Sequence, residues 1–204
     1  MDLREALTQI SEIRQQVART ELFQGYRALP VAFSGVLALA TAGFQALCLP
    51  EPTQNMPAYL FLWVGAAVIS MLATGMEMAL HCRYANSALE RAKVHWALGQ
   101  FLPSIVAGGL VTYVLVEHAP QCTWMLPGLW AIFFSLGIFA SRRLLPRAIW
   151  WVGIFYLGAG AICLMLAQGE WAFSPLAMGL PFGIGQLATA AILYWTLERT
   201  DGEK

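Results

Sequence analysis

Leu126–Arg147 reads LPGLWAIFFSLGIFASRRLLPR, and no other stretch limits more sharply what this chain can become. Leu126 to Ala140 carries no charge, Ser141-Arg142-Arg143 ends the run, and Pro146-Arg147 opens a second apolar run through Ala167. Crossing about 30 Å of hydrocarbon takes about 20 residues at about 1.5 Å each. The first run meets that length once its flanks are counted. The whole chain is 58% hydrophobic and 12% charged, whereas soluble domains carry about 25% charged residues. Run length and composition together predict an all-α polytopic membrane protein. Net charge is zero, so bulk attraction to nucleic acid is not expected.

Six apolar spans can be placed at residues 30–48, 58–80, 97–117, 124–141, 147–167 and 174–196. The connections at 49–57, 118–123 and 168–173 carry no Lys or Arg, and the only acids in or beside them are Glu51, Glu117 and Glu170. All 12 Lys and Arg residues fall on the other side of the spans, among them Arg27, Arg83, Arg142, Arg143, Arg147 and Arg199. Basic residues beside spans stay in the cytoplasm, so both termini are expected inside. The connection 82–96 (CRYANSALERAKVHW) is expected to form a short helix at the inner surface. Trp124 and Trp171 fall at the outer boundary, with Trp96, Trp150, Trp151 and Trp195 at the inner one. These are the two aromatic belts of a spanning bundle.

Prolines punctuate the spans in pairs. Pro30, Pro103 and Pro146 stand near the inward ends of the odd-numbered spans, and Pro57, Pro127 and Pro175 open the even-numbered ones. Proline suits a first helical turn, where its missing N–H costs nothing. The pattern predicts three tandem helical hairpins over 28–199, followed by a polar tail at 200–204.

Residues 1–27 are polar and have no secretory h-region. Asp2–Gln24 reads as a cytoplasmic amphipathic helix with a stripe of Leu3, Ile10, Ile13 and Val17. Arg4, Arg14 and Arg19 are balanced by Glu5, Glu12 and Glu21, which weakens attraction to anionic lipid. The stripe is therefore expected to serve a homo-oligomer, with a place along the membrane surface or the loops as the alternative.

Four cysteines, Cys48, Cys82, Cys122 and Cys163, form no CxxC pair. Cys48 and Cys122 fall near the outer ends of two spans, and whether they are bridged stays open at this stage.

Two groups inside the spans invite a functional reading. Glu77 and His81 share a helix face four residues apart, and His95 enters the next span from the same side. Glu77, His81 and His95 form a proton-sensitive candidate, since histidine charges on mild acidification. The alternative is a Glu77 that reaches the interface and pairs with a cation such as Arg83. Met178–Gln186 reads MGLPFGIGQ, and Pro181, Gly183 and Gln186 form a solute-site candidate, because a broken helix beside a polar side chain is how many transporters bind substrate. A packed kink explains the same residues. Ala38, Ala42 and Ala46 make a small-residue packing face in the first span. Glu117-His118 reads as a solvated helix end. No phosphate loop, GxSxG elbow or HExxH occurs, so no catalytic residue, metal site or cofactor is expected.

Three tandem two-helix units with inside termini resemble the HdeD-like bacterial membrane proteins, a family linked to acid resistance. The stretches LPGLWAIFFSLGIFASRR and SPLAMGLPFGIGQLATAAILYWTLER also resemble uncharacterised six-span bacterial proteins. The resemblance covers roughly Ala28–Arg199, implies a bacterial inner-membrane location and a stress-related role, and brings no catalytic residues. The sequence therefore leads to a non-enzymatic accessory or interaction protein of the lipid bilayer, homo-oligomeric and open to an unknown membrane partner. The alternative is a small-solute transporter or its membrane-embedded binding subunit.

Overall fold

The computed structural model describes residues 27–49, 51–84, 88–142, 145–166 and 171–199, with backbone alone over 81–84, 88–98 and at Glu198. Among the described residues the only regular structure is helical, and six helices are long and apolar enough to span a membrane. Helix α1 is Ala28–Cys48, α2 is Met56–Tyr84 and α3 is Ala88–His118. A 3-10 turn over Pro120–Met125 leads into α4, Leu126–Ala140, followed by α5 over Ile149–Leu166 and α6 over Pro175–Leu193. A π-helical turn, Tyr194–Glu198, extends α6. Asp2–Gln24, with its stripe of Leu3, Ile10, Ile13 and Val17, lies outside the described residues.

Local chemistry explains most of the boundaries. Pro127 and Pro175 occupy the first turns of α4 and α6, where no helical partner for their nitrogen is missing. Ser174 caps α6 by accepting from the Leu176 N–H, and Asn55 Oδ1 does the same for the Ala58 N–H of α2. Helix α1 stops at Leu49, which precedes a proline in the sequence and so is steered out of helical geometry.

The basic connection differs from expectation. The segment 82–96 does not form a helix of its own: α2 continues to Tyr84 and α3 already begins at Ala88. No Gly or Pro lies between Ala88 and Leu98, so nothing there stops α3 from growing backward past the apolar span. Pro103 consequently lies inside α3 rather than opening it.

Contacts along the helices fix their mutual directions. Gln45 meets Trp63 while Arg27 meets Glu77, so α1 and α2 are antiparallel. Trp130 meets Thr112 while Gly137 meets Phe101, and α3 and α4 are antiparallel too. Arg27, Glu77, Arg142, Arg147 and Arg199 therefore share one end of the bundle, and Glu51, Glu117 and Trp171 share the other.

The sequential hairpins are present, but they are not the tightest pairs. The closest packing joins α1 to α6 and α4 to α5, whereas α2 and α3 barely touch. The six helices form a ring with a weak seam between α2 and α3. Glycine makes the tight pairs possible. A Cβ on Gly128 would lie 2.8 Å from the Gly160 carbonyl oxygen, and one on Gly160 would lie 2.7 Å from that of Gly128. In lipid, where no hydrophobic force drives helix association, such backbone approach supplies the contact energy. Ser135 adds a hydrogen bond from its hydroxyl to the Gly153 carbonyl, 2.8 Å.

An aromatic cluster joins α3, α4, α5 and α6. Phe101 (α3), Phe134 (α4), Tyr156 (α5) and Phe182 (α6) stack edge-on or tilted at centroid distances of 4.8 to 5.6 Å. Helix α3 is the most peripheral; between Gly99 and His118 only Gly108 is buried.

Candidate functional sites

The solute-site candidate is occupied by helix packing. A Cβ on Gly183 would lie 2.5 Å from Leu39 Cδ2, and one on Gly179 would lie 2.5 Å from the Ala42 methyl. Gly35 on α1 in turn lies under the Gly183 carbonyl and Leu187. Ala38 and Ala42 are buried in this interface, while Ala46 is exposed. The small-residue face of α1 thus runs through Gly35, Ala38 and Ala42 rather than on to Ala46. Pro181 is half-buried within α6. Gln186 is half-buried, and its side-chain amide makes no hydrogen bond among the described residues. The neighbouring Phe182 stacks in the aromatic cluster with Phe134 and Tyr156.

Glu77 lies near the Arg-bearing end of α2, one-third exposed, and its carboxylate is 3.3 Å from the guanidinium of Arg27. The partner is on the neighbouring helix, at the residue immediately before α1. His81 and His95 belong to the helical backbone, and their side chains lie outside the described residues. Among the described residues no three His, Cys, Asp or Glu side chains come together to hold a metal. Exposed ion pairs contribute about 0–1 kcal/mol. Glu77→Gln is therefore expected to lower stability by no more than about 1 kcal/mol, as read by unfolding in mixed micelles. Glu77→Arg should cost more, through repulsion with Arg27, and adding Arg27→Glu should recover most of the loss.

At the opposite end, the sequence reading missed the best-connected polar side chain. Gln45 is 0% exposed. Its Nε2 donates to the Phe173 carbonyl at 2.7 Å, and its Oε1 accepts from Trp63 Nε1 at 2.8 Å. One amide thereby ties α1 to α2 and to the segment before α6. Tyr59 packs edge-on against Phe173 at 4.9 Å, sealing the same layer. A lone glutamine in an apolar span was the available signal. Its partners, 18 and 128 residues away, carry no motif that would point to it.

Cys48, Cys122 and Cys163 are free thiols, so no bridge joins the first two. Glu117 is an exposed helix end, and His118 stacks edge-on with Tyr113 at 6.2 Å.

The turn between α4 and α5 holds a small cleft lined by Ile138, Phe139, Arg142, Pro146, Ile149 and Trp150. Its volume, about 10 Å³, is at the lower limit for one water. No family model matches the chain, and neither a curated protein nor a solved structure matches it.

Proposed function

We propose that the chain is a non-enzymatic integral membrane protein that acts through assembly, as an accessory or stress-related component of a bacterial inner membrane, with both termini cytoplasmic. The observation that carries this reading is the aromatic packing among α3, α4, α5 and α6. Phe101, Phe134, Tyr156 and Phe182 occupy the position a solute pathway would need. Pro181 and Gly183, the residues that could have broken a helix around a substrate, sit in a helix that packs tightly on α1. A protein with its interior filled has its surfaces left to work with. Helices α2 and α3 present broad apolar faces, including Phe61, Leu72, Met76, Leu102 and Leu110, which suit lipid or another membrane helix. The resemblance to HdeD-like proteins supports the stress-related part of the reading, and the clustering of arginines at one end supports the orientation.

Assembly is assigned to the stripe Leu3, Ile10, Ile13 and Val17. Its flanking charges cancel, and an a/d seam between balanced charges suits helix pairing. The experiment is mass measurement in nanodiscs for the natural protein and for the double change Ile10→Asp with Val17→Asp. The natural protein is expected to be oligomeric and the variant to shift to monomer. A monomeric natural protein would overturn the assembly reading. Transport through the bundle is the alternative, favoured by the half-buried Gln186 without a hydrogen-bond partner among the described residues.

A further inference from the structure

The cleft at the α4–α5 turn differs from the rest of the apolar surface in its charge. Arg142 forms one side of it, and Arg147 follows directly after the lining residue Pro146. Both arginines are exposed, and neither has a carboxylate partner among the described residues. Arg27, at the same end of the bundle, is by contrast already neutralised by Glu77.

The remaining walls are apolar: Ile138, Phe139, Ile149 and the ring of Trp150. Trp150 stacks on Trp151 at 5.2 Å and lies 6.4 Å from Phe139. Nearer the middle of the same two helices, Leu136 on α4 and Ile154 and Phe155 on α5 are exposed apolar side chains. A ligand that suits these residues has an anionic head for two guanidinium groups and a long apolar tail for the exposed apolar side chains beside them. A guanidinium recognises phosphate oxygens with paired hydrogen bonds. Tryptophan rings prefer the headgroup level of a bilayer.

We propose that the cleft between Arg142 and Trp150, with Arg147 beside it, is a binding site for one anionic phospholipid, its phosphodiester held by Arg142 and Arg147 and its acyl chain laid past Trp150. A free phosphate shares the head chemistry but leaves the apolar walls unused. A zwitterionic lipid shares the tail but carries a cation toward the two arginines. Basic pockets between spanning helices bind anionic headgroups by the same physics, each nearby arginine contributing about a fivefold gain in binding. The site does not depend on how the protein assembles, because both arginines come from one copy.

The test is native mass spectrometry of the full-length protein titrated with phosphatidylglycerol or with phosphatidylcholine of the same acyl chains. The natural protein is expected to retain phosphatidylglycerol at least tenfold more tightly. Arg142→Gln and Arg147→Gln should each weaken that binding about fivefold. Arg199→Gln, an exposed arginine at the same end but outside the cleft, should leave it within twofold. Millimolar inorganic phosphate should not displace the lipid. Equal retention of the two lipids by the natural protein would overturn the proposal without recourse to any variant. So would an equal loss in all three variants, which would reduce the effect to general surface charge. Displacement by inorganic phosphate would overturn the lipid assignment and leave an anion site.

Discussion

Gly160→Ala is expected to destabilise the bundle by about 3 kcal/mol, at the upper end of overpacking costs, while Gly158→Ala, two residues earlier on α5, is expected to be neutral or slightly stabilising. The difference lies in what a methyl group meets. At Gly160 it would lie 2.7 Å from the Gly128 carbonyl oxygen and equally close to Ile132 Cγ1. The first obstacle is backbone, which cannot rotate aside, so α4 and α5 must separate to admit the new atom. Separation also weakens the Ser135–Gly153 hydrogen bond and the other close contacts along the pair. At Gly158 nothing lies within 4 Å, and alanine replaces the least helix-favouring residue after proline. Unfolding both variants by SDS in mixed micelles would read the contrast. Equal effects at the two positions would mean that the α4–α5 contact is not a glycine-dependent approach. Gly128→Ala should behave like Gly160→Ala, because its methyl would meet the reciprocal carbonyl at 2.8 Å.

The second large effect is expected at Gln45. Gln45→Leu keeps the volume and removes both hydrogen bonds, leaving Trp63 Nε1 and the Phe173 carbonyl buried without partners. An unsatisfied buried group costs about 1–3 kcal/mol, and hydrogen bonds between membrane helices average nearer 0.6 kcal/mol by double-mutant cycles. Together these place the loss at about 2–3 kcal/mol. Trp63→Phe removes the donor alone and should cost less through this bond. The double change should cost less than the sum of the two, because the indole N–H that Gln45→Leu strands is absent from it. Additive losses would show that Trp63 and Gln45 act independently.

The sequence was most informative where one dimension is enough. An uncharged run has to cross the membrane whatever its neighbours are, so the six spans could be placed from composition and from Pro127 and Pro175 at their starts. Charge removed ambiguity at the ends but not within the connections. The absence of a breaker after Ala88 let α3 run on where a separate helix was expected. Pairing between helices was harder to read. Ala38 and Ala42 announced a packing face, but a small-residue face says only that something comes close. That α6 is the neighbour depends on Gly179 and Gly183 standing at matching heights in an antiparallel helix, about 140 residues away. The same glycines, read locally beside Pro181, equally suited a broken helix around a solute. For Glu77 the candidate partner lay on its own helix, at Arg83, whereas the cation within reach is Arg27 across the hairpin. Gln45 went unread because its bonds are made to an indole and a main-chain carbonyl, and neither leaves a mark in a linear pattern.

Closure of the ring by α1 and α6 has a consequence for how the protein is made. Of the six described spans, α1 comes first in chain order and finds its closest neighbour in α6. Until Pro175–Leu193 has been inserted, Gly35, Ala38 and Ala42 face lipid or a passing helix from another protein. Helices α4 and α5 have no such delay, since they are made consecutively and can dock at once. Assembly in the bilayer should therefore proceed from a nucleus around α4 and α5, with α1 captured late, as for any contact that joins distant parts of a chain.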